Sequence, residues 1–243
     1  EKMTNAVSAA ELIPGWVPVF SLETVAELEP LLRERIVRRH IRAGVRVLDP
    51  NAVYIDPRVT IGRGTMLLPG TILRGDTVIG ENCEIGPNTM LTDCTVGDGA
   101  VINSSQCNES TIDAGAHVGP FAYIRPNCHV GKDVKVGDFV ELKNSTIGDG
   151  TKISHLTYIG DSDVGSQCNF GCGTVVVNYD GKKKYRTTIG NHCFVGCNTN
   201  LVSPVRLGDW AYTAAGSTIT QDVPAGQLAI ARARQVNKDH WKD

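Results

Sequence analysis

The chain of 243 residues contains no apolar run near the roughly 18 residues of a membrane-spanning helix. No charged-then-apolar stretch opens it in the manner of a secretory signal. Neither charge is in excess: Lys plus Arg is 24, Asp plus Glu 26, the formal charge −2 and the pI near 6.3. A nucleic-acid binder held on by bulk charge is normally basic, so that class is disfavoured, and no membrane association is expected. Aromatic residues are scarce at 6%, whereas glycine occurs 26 times. A core short of rings and rich in glycine must be assembled from small aliphatic side chains and tight corners, which counts against an ordinary helical domain. The 41% hydrophobic content suits a soluble globular chain of one or two units at roughly 150 residues each.

What the sequence does contain is a ruler of six residues. From Ile55 it reaches Ile61, Leu67, Leu73, Ile79, Ile85 and Leu91. A second register runs Ile112, Val118, Ile124, Val130, Val136, Leu142, and continues after shorter steps through Ile147, Ile153, Ile159, Val164, Phe170 and Val176. A third runs Ile189, Val195, Leu201, Leu207, Thr213, Ile219. Four positions on stands a small residue such as Thr65, Thr71, Thr89, Ala116 or Thr151. One position on, glycine is common: Gly62, Gly80, Gly86, Gly119, Gly131, Gly137, Gly165, Gly190, Gly196. Neither the helical period of about 3.6 nor the strand period of about 2 explains this spacing. Hexads fit a parallel β-helix, in which the aliphatic residue points inward, the small residue fits the corner and glycine relieves the backbone there.

Two stretches depart from the ruler: residues 103–111 (NSSQCNEST), which break register, and residues 177–188 (VNYDGKKKYRTT), a polar, basic loop of the kind that often carries function. Upstream, Val25, Leu28, Leu32 and Ile36 predict a helix within Ser21 to Arg42, stopped by Gly44, with Pro30 placing its start near that residue. The expected division is an N-terminal segment and linker helix at 1–45, the β-helix at 46–222 and a tail at 223–243.

Of the eight cysteines, Cys83, Cys128, Cys168 and Cys193 fall on the small-residue seat, so they read as packing residues in a reduced, cytoplasmic setting. Zinc enzymes of the gamma carbonic anhydrase type share the repeat. Yet His117, His129, His155 and His192 are not spaced to converge on one ion within a subunit, so no metal is expected. Arg125 and Lys143 are separated by three hexads, one full coil, each just after an aliphatic residue of the ruler, and should stack on one face. Like charges opposed across strands repel; Glu141 or Asp138 would relieve them, and so would a bound phosphate gripped by the guanidinium fork. The basic loop should emerge near this pair. His155, two hexads beyond Lys143, offers an imidazole that accepts a proton at neutral pH.

At these residues the sequence resembles a known family. VGPFAYIRPN, VGDFVELKNSTIGDGTKISHLTYIGDSDVG and NFGCGTVVVNYDGKKKYRTTIG are similar to the acetyltransferase half of the bacterial bifunctional N-acetylglucosamine-1-phosphate uridyltransferase/glucosamine-1-phosphate N-acetyltransferases, and the likeness runs from about Arg42 to Trp241. The resemblance implies an all-β, left-handed parallel β-helix of about nine to ten coils, assembled as a homotrimer with active sites between subunits. It implies acetyl transfer from acetyl-CoA to the amine of glucosamine 1-phosphate, without a metal, in the synthesis of UDP-N-acetylglucosamine for cell-wall and lipopolysaccharide assembly. Carried over by position, His155 is the general base. Arg125 and Lys143 hold the sugar phosphate, with Tyr158, Asn169 and Asn178 at the sugar. Cys172, Asn178, Tyr179, Cys197, Ala215 and Arg232 line the acetyl-CoA site, and backbone N–H groups near Cys172 and Gly173 are the candidate oxyanion donors. The family's nucleotide loop and Mg²⁺ site have no counterpart in residues 1–44, so uridylyl transfer is not expected of this chain. Two other classes share the repeat. β-Helical acyltransferases acting on nucleotide sugars or serine have no need of the Arg125/Lys143 pair, and a non-enzymatic scaffold would leave both the pair and the basic loop without a use.

Overall fold

The computed structural model describes residues 21–239; the unassigned segment 1–20, and His240 and Trp241 of the tail, lie outside them. Short strands repeat around three faces and pair only in parallel with the coil before and after. Face A begins with Arg46–Val47, Met66–Leu67 and Glu84–Ile85, face B with Tyr54–Ile55, Ile72–Arg74 and Met90–Thr92, and face C with Thr60–Ile61, Val78–Ile79 and Thr95–Val96. The result is the expected left-handed β-helix of about ten turns. Its register advances by three full hexads per coil where these are intact, as at Leu67↔Ile85, and by less where the chain cuts corners, as at Ile102↔Val118. Face C is a sheet of nine strands. Faces A and B join into one sheet because two strands, Lys135–Lys143 and Lys152–Gly160, turn the corner between them unbroken.

The ruler residues form the core: Leu67, Leu73, Ile85, Leu91, Ile124 and Leu142 are wholly buried. Residues 103–111 correct the expectation of an interruption. They form a regular coil with a strand at Gln106–Asn108, in which Cys107 takes the inward seat between two shortened steps of the ruler. A buried thiol is apolar and small enough for that seat, which is why an aliphatic count misses it. The small-residue seat proves to be a hydrogen-bonding position as well as a tight one. The Thr65 hydroxyl donates to Gly80 O at 2.8 Å and accepts from Cys83 N at 3.0 Å. The thiols of Cys83, Cys168 and Cys193 reach carbonyls of the next coil in the same way, at 3.2, 3.0 and 3.1 Å. Burial pushes the Cys94 thiol up to about 11 and raises Cys107 well above the usual thiol range, so both stay protonated.

The glycines after the ruler residue serve a different purpose from the one expected. Among the nine, only Gly86 and Gly119 have positive φ. The others sit where successive coils touch: a Cβ on Gly62 would lie 2.5 Å from the Gly80 carbonyl carbon. Left-handed backbone falls instead at the neighbouring corner positions, such as Asn82 (φ 54), Gly99 (φ 68) and Gly150 (φ 66).

The helix α1, Leu22–Arg42, starts well before Pro30. Ser21 caps it, its Oγ accepting from Thr24 N at 3.2 Å, and Pro30 sits inside at the cost of one backbone hydrogen bond. Ala43 and Gly44 (φ 98) end it, as expected of that glycine. At the other end, pairing continues through Val223, opposite Leu207, and Leu228–Ala229, opposite Tyr212–Thr213.

Candidate active site

Lys135–Lys143 and Lys152–Gly160 carry the centre of the candidate site, and their register places Asp138 opposite His155, Glu141 opposite Tyr158 and Lys143 opposite Gly160. Ile124↔Leu142 brings Arg125 alongside Lys143, one coil apart on face B, as expected. Each cation, however, already has its own carboxylate. Arg125 Nη1 donates to Glu141 Oε1 at 2.8 Å, and Lys143 Nζ donates to both oxygens of Asp161 at 2.8 and 3.0 Å. Mutual repulsion is therefore answered within the chain. A phosphate is not required to relieve it, although Arg125 engages only one of its guanidinium nitrogens among the described hydrogen bonds. Both cations have raised pKa values, chiefly through these bonds.

Asp161 is the hub that sequence reasoning missed. It is buried, and besides Lys143 it accepts from Asn144 Nδ2 at 2.6 Å and Asn178 Nδ2 at 2.5 Å. Burial pushes its carboxyl up, but the three donors outweigh burial and hold it below the usual carboxylate range. Asn178 stands at the start of the basic loop, so the loop does begin beside the cation pair; its side chain also reaches Tyr158 Oη at 3.4 Å. Beyond it, Tyr185 N–H bonds back to Asn178 O at 2.8 Å, and Asp180 accepts from the backbone of Lys182 and Lys183 at 2.7 and 2.6 Å. The loop thereby folds into a compact hairpin that brings Lys184 up to Lys143. Arg186 then locks the loop to the solenoid by forking onto Asp163. Tyr179 is exposed on the hairpin.

The remaining residues fall into a single line. Pairings on either side advance by unequal steps, so that Asp138, His155, Cys172, Cys197 and Ala215 follow one another down the corner between faces A and B. Arg232 ends the line, its Cδ within 3.9 Å of the space beside Gly216. The expected base and four of the expected acetyl-CoA residues thus lie along one corner parallel to the axis. From Asp138 to Cys197 the separations are not whole numbers of hexads, which conceals the relation from a fixed six-residue count. His155 Nδ1 lies 2.6 Å from Asp138 Oδ1. A carboxylate only accepts, so Nδ1–H donates, and Nε2 has no hydrogen-bond partner among the described residues. Asn169 is the one expected sugar contact that stands apart, on face A opposite Lys152 and Phe194. Of the two expected oxyanion donors, Gly173 N–H is engaged with Leu156 O at 2.9 Å, which leaves the Cys172 N–H. Cys172 and Cys197 are exposed, unlike the other six cysteines. Among the described residues no group of three or more His, Cys, Asp or Glu is placed to hold a metal ion, and no helix is long and apolar enough to cross a membrane.

Comparison with known proteins agrees with the hexapeptide fold. The bacterial transferase hexapeptide family matches residues 58–93, 76–105 and 186–221, and the GMPPB C-terminal domain family matches residues 106–193. The protein named Bifunctional protein GlmU from Clostridium kluyveri is 58% identical over 217 residues, covering 89% of this chain and 48% of that protein. Its namesake from Clostridium botulinum (strain 657) is 51% identical over all 243 residues and 52% of its own length. Among solved structures, an Arabidopsis UDP-N-acetylglucosamine acyltransferase matches at 15% identity and a TM-score of 0.43, over 74% of this chain and 69% of that one, too loosely to bear on function. The chain spans about half the length of the curated relatives it matches. More than half identical to these proteins along nearly all of its length, and built throughout of hexapeptide coils, the chain belongs to the GlmU family as a β-helical portion of it.

Proposed function

We propose that the protein transfers the acetyl group of acetyl-CoA to the amine of glucosamine 1-phosphate, in the cytoplasm, as a step toward UDP-N-acetylglucosamine. The observation that carries this reading is the common origin of two features. The strand Lys135–Lys143 carries Lys143, sets it beside Arg125 of the preceding coil through Ile124↔Leu142, and through Asp138 holds the His155 ring of the next strand at the adjoining corner. Phosphate binds Arg125 through its unused N–H groups and Lys143 as a point charge, with Tyr158, Asn178 and Lys184 around the sugar. The amine, held beside His155, loses its proton to Nε2 as it attacks the thioester carbonyl, while the acetyl-CoA lies along that corner past Cys172, Cys197 and Ala215 toward Arg232. The Cys172 N–H faces the developing oxyanion, a placement typically worth about 3–4 kcal/mol.

The site is completed by a second copy of the chain in a homotrimer. Two features support this. The His155 side chain is 61% exposed in the single chain, whereas acyl transfer benefits from a dry site. Beside it, Phe121, Phe139 and Leu156 form an exposed ridge with φ of 59, 57 and 39. Bulky residues at such angles cost about 1–2 kcal/mol each, where other corners use Asn or Gly, and the exposed rings have a purpose if another subunit covers them. Asn169, on face A, then serves the site of a neighbouring copy.

The test is thiol release from acetyl-CoA with glucosamine 1-phosphate, run beside glucosamine lacking the phosphate and beside His155→Ala. Release that requires the phosphate and falls by about 10²–10⁴ in the variant is expected. No release from a protein that binds CoA would move the reading to another acceptor.

A further inference from the structure

Three carboxylates line the strands around the candidate site, and each has a separate charge to answer: Glu141 takes Arg125, Asp161 takes Lys143, and Asp138 takes His155. The third pairing is unlike the first two, because imidazole needs no counter-ion while neutral. We propose that Asp138 is a positioning residue for His155, one that holds the proton on Nδ1, directs Nε2 at the acceptor amine and stabilises the imidazolium formed when that amine gives up its proton. The inference rests on the acetyl-transfer reading for its chemistry and on the dyad geometry for everything else.

The geometry is specific. Asp138 and His155 are direct register partners on adjacent coils, and each is followed by a residue in left-handed backbone, Phe139 and Leu156. Both side chains therefore leave matching corners, and the 2.6 Å contact needs no long flexible linker. The groups facing the dyad are few. Lys135 lies on the Asp138 strand and acts on Asp138; Lys152 lies on the His155 strand, Cys172 occupies the same corner one coil later and Pro120 one coil earlier. None is a competing acid. His129 has a similar contact with Asp113, 2.7 Å through Nε2, but on face C, away from the cation pair, where it serves as an internal control. During reaction the amine proton passes to Nε2 and the nitrogen lone pair forms the bond to the acetyl carbon. The C–S bond breaks as the tetrahedral intermediate collapses, the proton leaves with the CoA thiol, and Asp138 remains ionised throughout. An ionised carboxylate hydrogen-bonded to the ring stabilises the imidazolium formed in the reaction, and its removal withdraws that stabilisation.

The experiment uses the full chain with isotope-labelled histidine and compares wild type, Asp138→Asn, Asp138→Glu and, as control, Asp113→Asn. Histidine NMR should show His155 protonated at Nδ1 in its neutral form, and charging at lower pH in Asp138→Asn alone. In the acetylation assay, Asp138→Asn should lower kcat by about 10- to 100-fold, move the acid limb of the rate profile to lower pH and change the KM for glucosamine 1-phosphate little. Asp138→Glu should recover part of the loss. An unchanged His155 titration and an unchanged acid limb in Asp138→Asn would overturn the proposal. If the wild type binds CoA but transfers no acetyl group, the acetylation reading fails, while the tautomer and titration still decide whether Asp138 governs His155.

Discussion

Asp161 accepts hydrogen bonds from three side chains, two of which belong to the candidate substrate site. Its replacement by Ala strands the Lys143 ammonium and frees Asn178. The expected cost is about 2–3 kcal/mol at pH 7, measured by urea unfolding, with a higher KM for the sugar phosphate. The pH dependence follows from its depressed pKa. The stabilisation is fully present above the unfolded-state value near 3.9, and is lost as pH falls through the lower folded value. The gap in stability between wild type and Asp161→Ala should accordingly hold from neutrality down to about pH 4 and narrow only in stronger acid. A second residue-scale expectation concerns thiols. Only Cys172 and Cys197 are exposed, so a thiol-specific chromophoric reagent should modify two cysteines per native chain and eight after unfolding. Acetyl-CoA should protect those two; equal modification rates with and without it would argue against the corner as its site.

At the scale of the coil, glycine has two duties that a sequence cannot separate. A Cβ on Gly148 would lie 2.6 Å from the Gly165 carbonyl carbon, against backbone that cannot move aside. Gly99, by contrast, has φ 68 and nothing within 4 Å, and Asn82 fills the corresponding seat one coil earlier at φ 54. Gly148→Ala should cost about 1–3 kcal/mol by forcing two coils apart, whereas Gly99→Asn should stay within about 0.5 kcal/mol. Thermal unfolding of the two variants side by side tests the distinction, and equal losses would refute it. The coils were legible because an inward aliphatic residue recurs with the coil itself. Cys107 was hidden because burial, not residue type, makes it part of that series.

For the molecule as a whole, the exposed ridge of Phe121, Phe139 and Leu156 is the feature a single chain leaves unexplained. The two phenyl rings stack with centroids 5.6 Å apart. Burying each ring against another copy is worth about 1.5–3 kcal/mol, and a trimer repeats that gain at every interface. Phe139→Asp should therefore shift sedimentation from trimer toward monomer at micromolar protein and abolish acetyl transfer together with it, while leaving the circular dichroism of the β-helix intact. A variant that stays trimeric and active would place the subunit contact elsewhere.

The solenoid was legible from residue order alone, because a six-residue inward period admits few other packings. So was the pairing of Arg125 with Lys143, because three hexads make one intact coil. Whatever depends on coils of unequal length and on outward side chains emerged only on folding. Irregular steps bring His155, Cys172 and Cys197 into one line, and no fixed period contains them. Which carboxylate meets which cation, and that Asp138 turns to His155 instead of to Arg125, is settled by side-chain direction at a corner. The repeat leaves that direction free, and only the folded backbone sets it.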